Sequence, residues 1–341
     1  LQQYEFMIDI AFVDDFGLKK KKEGESMDKW DEFIKLYNSF QYQGIEKCHG
    51  IIYHYTSPES LQGIFETKSL FATDMYFLND ASEGMYVIEL IQDNIKQLCQ
   101  NNETLIKYVK KELRHLKIGK WTELIHNYTI SFSMNGDSLE MWNYYTKGNS
   151  IQGYNIGFDI DKLASTIQIE ILDDEGHQIE RNTDKHLVLY QGKVIYDRNR
   201  QLELIESIFN KFYSKYSEIG DEQMLSLVAH YMVSKAMNYG QFFKSKEFEI
   251  EEEYRFIFST YLLDGQDNSE KGIPCKEKFR IHGGCIIPYQ KCSFEMESIL
   301  GVTFSPSLFS DMAEAGLCRL LDQYGIKGDN RIKKSSIPLR F

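Results

Sequence analysis

Apolar residues recur along this chain at two spacings, and blocks of one alternate with blocks of the other. Ile51 to Thr56 is a short run rich in aromatic and β-branched residues, which predicts a strand. Ser57-Pro58 then supplies an N-cap and a proline suited to the first helical position, and Leu61, Ile64 and Phe65 repeat at helical spacing. His54 is thereby placed at a strand end just before a helix. Ile88, Ile91, Ile95 and Leu98 predict a second helix, and Leu105, Tyr108, Val109, Leu113 and Leu116 a third.

Alternation takes over at Tyr128 to Ser133. Ile130 and Phe132 fall on one face there, with Thr129, Ser131 and Ser133 on the other. Tyr154 to Phe158 and Lys193 to Tyr196 also read as strands. Helices return at Leu202 to Tyr213 and at Met224 to Tyr239, the latter stopped by Gly240. Strands at Glu253 to Thr260 and Gly284 to Pro288 precede a last helix near Met312 to Tyr324. Strands and helices mix without regular βαβ alternation, so the expected fold class is α+β. Residues 1–48 read as an N-terminal helical extension, with a basic run at Lys19 to Lys22 and Trp30, Phe33, Ile34 and Tyr37 at helical spacing. Residues 49–341 read as the main domain.

Composition narrows the class of protein. The 341 residues are 42% hydrophobic with only 5 prolines, which excludes a disordered or collagenous chain. Asp and Glu number 51 against 39 Lys and Arg, a net charge of -12, which argues against binding nucleic acid chiefly by phosphate neutralisation. A basic C-terminal cluster (Lys327, Arg331, Lys333, Lys334, Arg340) keeps such a partner open, beside its reading as a solvated tail. Apolar stretches such as Met224 to Val233 are far shorter than the roughly 20 residues of a membrane span. The N-terminus lacks the basic start and apolar core of a signal peptide, so the expected location is cytoplasmic. The six cysteines form no CxxC pair and read as reduced thiols; Cys275, Cys285 and Cys292 with His282 match no zinc spacing, and no metal is expected. GxGxxG, GxxxxGK[ST], HExxH and GxSxG are all absent.

Three polar constellations remain, each with a structural reading beside the functional one. His54, facing away from Tyr53 and Tyr55, offers a neutral imidazole for a ribose hydroxyl or an amide, or is a satisfied structural residue. Ser131 and Ser133 project from one face, with Asp137, Ser138, Met141, Trp142, Tyr144 and Tyr145 close behind. These residues form either the wall of a site for a planar ring or a core and turn. Glu247 to Arg255, taken as a strand, places Glu249, Glu251, Glu253 and Arg255 on one face. Neighbouring carboxylates there raise each other's pKa unless Arg255 and Lys244 neutralise them.

These residues, together with Leu78-Asn79-Asp80, Glu83, Gly157-Phe158-Asp159, Val194-Ile195-Tyr196, Phe248, Pro288-Tyr289 and Ser336-Ile337-Pro338, resemble the bacterial domain-of-unknown-function family 2971 from about residue 49 to 341. Phe248 stands where that family usually has Trp. The family is in turn similar, more distantly, to the ADP-ribosyltransferase superfamily. That resemblance implies split β-sheets forming an NAD cleft, with NAD as co-substrate and no metal. It implies Glu253 as the catalytic carboxylate and Glu251 as the group that orients the acceptor. His54 would bind the adenine-side ribose or the nicotinamide amide. Ser131 or Ser133 would support the cleft, and Tyr144 or Tyr145 would stack on nicotinamide. Tyr55, Thr56, Trp142 and Arg255 complete the implied NAD-binding set. The implied activity is an ADP-ribosyltransferase, a bacterial toxin or anti-phage effector, acting on an unidentified protein or nucleic acid, with a cognate antitoxin or defence-system protein as partner. NAD hydrolysis and a non-catalytic nucleotide- or partner-binding module are the alternatives.

Overall fold

A computed structural model describes residues 32–78 (except 34, 38 and 41), 83–117, 125–145, 153–170, 188–219, 222–261, 278–306 and 311–338. The Lys19–Lys22 run, Trp30, Ile34, Asn79, Asp80, Cys275 and Arg340 lie outside the described residues, as do the side chains of Glu83 and His282.

The first strand, β1 (Ile51–Thr56), leads into helix α1 (Pro58–Thr67) as its sequence dictates. The Ser57 hydroxyl accepts the Ser60 N–H at 3.2 Å, and Leu61, Ile64 and Phe65 are buried. Strand β2 (Ser69–Asp74) follows, then α2 (Glu83–Asp93), α3 (Ile95–Leu98) and α4 (Glu103–Lys117). The expected single helix through Ile88 and Leu98 is interrupted. Asn94 leaves helical geometry at φ -113°, and its side-chain amide donates to the Leu90 carbonyl at 2.8 Å, taking an acceptor the helical ladder uses.

Strand β3 (Ile125–Ser133) precedes α5 (Leu139–Tyr145), β4 (Tyr154–Asp159), α6 (Ile160–Thr166), β5 (Gln168–Ile169) and β6 (Val188–Lys193). The expected strand at Lys193 to Tyr196 ends at Lys193; beyond it only Ile195 bridges Phe243. Helices α7 (Arg198–Ile219) and α8 (Leu225–Gly240) come next. Gly240 is the last residue of α8, and its φ is not left-handed. Its role is close packing, since a Cβ there would lie 2.2 Å from Val87 Cγ2. Strands β7 (Glu253–Tyr261), β8 (Lys278–His282), β9 (Cys285–Ser293) and β10 (Ile299–Phe304), helix α9 (Asp311–Gln323) and β11 (Ile332–Lys334) complete the order.

The strands form one sheet of mixed connectivity, β11-β10-β4-β1-β3-β2-β9-β5, with β7 and β6 branching from β3 and β8 from β9. Its strand pairs are antiparallel except β10 with β11, which fits the α+β expectation. β3 pairs with β7 along its whole length. Its other edge is shared, Tyr128 and Thr129 pairing with β2 and Ser133 with β1. At Ser131 the sheet therefore forks, β1 and β2 diverging from a common neighbour.

Alternation divides the sheet's two faces. Ile52, Leu70, Ile130, Phe132, Phe158 and Phe256 face a hydrophobic core closed by α1, α6 and α9. A second core joins α2, α3, α4, α7 and α8, and Phe33, Tyr37 and Phe40 of the N-terminal extension are buried in it. Five cysteines (Cys48, Cys99, Cys285, Cys292, Cys318) are free thiols. Among the described residues no helix is long and apolar enough to cross a membrane.

Candidate active site

One row of paired residues crosses three adjacent strands: Tyr53 on β1, Ser133 on β3 and Glu253 on β7. Residues two apart along a strand share a face, so Ser131 and Arg255, themselves paired, stand on that same face. The segment before β7 is not the expected strand. Lys246–Glu251 coil into a 3-10 turn, and Glu252 reverses the chain at φ 44°, ψ 51° before β7 begins. That turn folds Glu251 back over the sheet, and the Ile195–Phe243 bridge brings Lys244 in from the end of α8.

The result is a buried cluster of two carboxylates and two cations. Arg255 grips Glu253 with both arms, Nε donating to Oε1 at 2.7 Å and Nη2 to Oε2 at 2.8 Å. Its Nη1 donates to the Gln241 carbonyl at 2.7 Å. Lys244 Nζ donates to Glu251 Oε2 at 2.5 Å and Glu253 Oε2 at 3.3 Å, and lies 4.8 Å from the Phe248 ring centre. The Tyr145 hydroxyl donates to Glu251 Oε1 at 3.1 Å. The Ser133 hydroxyl donates to the Glu251 carbonyl at 2.8 Å, and the Tyr196 hydroxyl accepts the Glu253 N–H at 2.9 Å. Exposure rises outward, from 1% at Arg255 and 4% at Glu253 to 8% at Glu251.

The carboxylates are driven apart in acidity. Burial pushes Glu253 up, but Arg255, Lys244 and a hydrogen bond from Ser131 outweigh it and hold the group at about 2. At Glu251 burial wins, aided by the Glu253 charge, and its pKa lies above the ordinary value despite Lys244. Burial and the Glu251 charge also push up the Tyr145 hydroxyl. Glu253 is thus a fixed anion and Glu251 the readier proton acceptor.

His54 does not join this cluster. Its side chain lies on the opposite face of β1, 5.6 Å from the Phe132 ring, with Nδ1 placed 3.3 Å from the Ser131 carbonyl at the fork. Burial lowers its pKa to about 4, with the charge of Arg280 acting the same way, so the ring is neutral and Nδ1–H donates to Ser131. Thr56 is buried at the end of the same strand. The Tyr55 hydroxyl donates to the Asn135 carbonyl at 2.8 Å and accepts the Ser138 N–H at 3.0 Å. Tyr55 also meets Trp142 edge-on at 4.7 Å; both brace the loop between β3 and α5. Of the two tyrosines, Tyr145 reaches the carboxylates, and Tyr144 is 69% exposed. Tyr196 and Gln241 entered the cluster without being singled out; only the Val194-Ile195-Tyr196 run pointed toward the first.

Two results follow from these charges. Unfolded, His54 returns to its ordinary 6.5 and takes up protons the native state refuses, so native stability falls as pH drops from 6.5 toward 4. Glu253 adds a second loss between its ordinary 4.5 and about 2, while Glu251, raised, contributes a gain as pH falls to 4.5 and so offsets part of the His54 loss above that point. Urea denaturation across pH reads both, and His54→Gln removes the upper step alone.

Asp137 anchors the C-terminal segment beside the site. Its carboxylate accepts from Trp142 Nε1 at 2.9 Å, Ser335 Oγ at 2.5 Å, Ser336 N at 2.7 Å and Ser336 Oγ at 2.8 Å. Ile337 packs against Tyr55, Met141 and Trp142. Asp137→Ala is expected to raise hydrogen exchange at residues 335–337 at least tenfold while α4 and α8 exchange as in the wild type.

The model of a family described as "Protein of unknown function (DUF2971)" matches residues 141–256. The chain is similar to that family over this span. The match takes in α5 from Met141 onward, Lys244, Glu251, Glu253 and Arg255; it leaves out His54, Ser131 and Ser133. No curated protein and no solved structure matches the chain.

Proposed function

We propose that this chain cleaves the nicotinamide–ribose bond of NAD and transfers ADP-ribose to a macromolecular acceptor. The observation that carries the reading is the convergence of Ser131, Ser133, Glu251 and Glu253 on one face of β3, β7 and the turn before it, with Tyr145 at the rim. The resemblance of this constellation to ADP-ribosyltransferases supports the same reading.

The residues suit the step. As the C–N bond breaks, nicotinamide leaves with the bonding pair and positive charge develops on the ribosyl carbon. A carboxylate that stays ionised in a water-poor site stabilises that charge without reorganising. Glu253 is such an anion, though Arg255 and Lys244 offset much of its field, so the outer carboxylate, Glu251, faces the sugar. Its raised pKa suits it to take the acceptor's proton as the new bond to the ribosyl carbon forms. Tyr145 orients Glu251 by donating to Oε1.

The test is NAD labelled in the adenine ring, incubated with the protein and a cell lysate. Label on a macromolecule, matched by free nicotinamide, supports transfer. Nicotinamide with no labelled acceptor means water takes the acceptor's place. NAD left intact while it raises the melting temperature means a binding module.

A further inference from the structure

At the other limb of the fork, about 7 Å along β3 from Ser131, Thr129 pairs with Thr73 of β2, and Thr73 pairs with Tyr289 of β9. These three side chains share the face that carries Ser131 and Glu253. Arg280 of β8 reaches across β9 onto the same face, its Nη2 donating to Thr73 Oγ1 at 2.8 Å. That is the guanidinium's one hydrogen bond among the described residues. Its Nε is buried with no partner, and so is Thr129 Oγ1. No carboxylate of the described residues pairs with Arg280, whereas the neighbouring Lys278 and Lys291 are both taken by Glu170. The guanidinium carbon lies 6.0 Å from the Phe71 ring centre, and Phe71 is 40% exposed, so the site has an open side.

An isolated half-buried cation is costly, and an unpaired buried donor beside it more so. Groups of this kind are made good by an anion that brings several acceptor oxygens at once. Arginine's fork of donors matches tetrahedral oxyanions in particular. The neutral His54 ring, near enough to feel the Arg280 charge, adds no competing positive charge.

We propose that Arg280, Thr73 and Thr129 form a binding site for a phosphate-class oxyanion at the fork of the sheet. The site is separate from the Glu251–Glu253 cluster and stands whether or not that cluster turns over NAD. The phosphate is either free or part of a nucleotide diphosphate.

Titration calorimetry at low salt with inorganic phosphate, pyrophosphate and ADP tests it on the whole chain. Saturable binding of at least one of the three is expected. Arg280→Gln weakens it at least tenfold, and Arg280→Lys, which keeps charge and loses the fork, weakens it less. Lys193→Gln, a surface control paired with Glu46, leaves it unchanged. Thr129→Val is the decisive companion. Its hydroxyl has no partner to lose, so the melting temperature holds or rises while phosphate affinity falls severalfold. ADP binding more tightly than pyrophosphate identifies the nucleotide as the source, and equal affinity identifies the free anion. No saturable binding at millimolar concentrations, binding indifferent to Arg280→Gln, or equal weakening by Lys193→Gln would overturn the proposal.

Discussion

Glu253→Gln is expected to destabilise the fold by about 3–5 kcal/mol, the usual cost of removing one partner from a buried ion pair. The substitution is nearly isosteric, so the loss comes from charge. Arg255 and Lys244, 1% and 5% exposed, lose the carboxylate they share, and burial already opposes the ionisation of Glu251 beside them. The bidentate contact at 2.7 and 2.8 Å also loses an acceptor oxygen and meets an amide that donates. Denaturant unfolding should show a lower midpoint at an unchanged slope. A change under about 1 kcal/mol would mean that water screens the cluster as it screens a surface pair. The consequence for enzymology is direct: inactivity of Glu253→Gln alone cannot separate chemistry from folding, because both are lost together.

Glu251→Gln separates them. Glu251 sits at the outer edge of the cluster, bound to Lys244 on one oxygen and Tyr145 on the other. Its loss breaks a buried pair too, but Lys244 keeps Glu253 at 3.3 Å and burial already opposes the ionisation of Glu251, so the fold loses less than in Glu253→Gln. If Glu251 faces the ribosyl centre, the rate of NAD cleavage falls about 100- to 1000-fold, the range for one lost electrostatic contact in a closed site. Tyr145→Phe, which keeps the ring and drops the donor, should cost less and shift the acid limb of the pH–rate profile upward, since that hydrogen bond lowers the Glu251 pKa. A Glu251→Gln protein as active as wild type would place the chemistry elsewhere.

Local pattern made much of this fold legible. The Ser57-Pro58 cap, the apolar stripe of α1 and the two-faced alternation of β3 appear in the structure as the residues suggest, because each is settled by neighbours in the chain. The association of Glu251, Glu253, Arg255 and Lys244 was legible too, from charge balance within a dozen residues. The path joining them was not. Glu249-Ile250-Glu251 alternates like a strand, yet the chain turns there, and only the left-handed Glu252 lets β7 start at Glu253. The side of the sheet taken by His54 was readable, but its consequence depended on which strands became neighbours. The fork arises because β1 and β2 share one edge of β3, a long-range pairing no local signal encodes. Asp137 and Ser336 stand 199 residues apart in sequence, and the Arg280–Thr73 contact spans 207. Contacts of that reach are set by topology.

The central claim is that the β7 cluster breaks the nicotinamide–ribose bond of NAD. Nicotinamide release from NAD by purified wild-type protein and by Glu251→Gln, with both shown folded by their unfolding midpoints, tests it most directly. The account predicts steady release by the wild type and a loss of at least 100-fold in the variant. No release by a folded wild-type protein, or equal release by both, would contradict it.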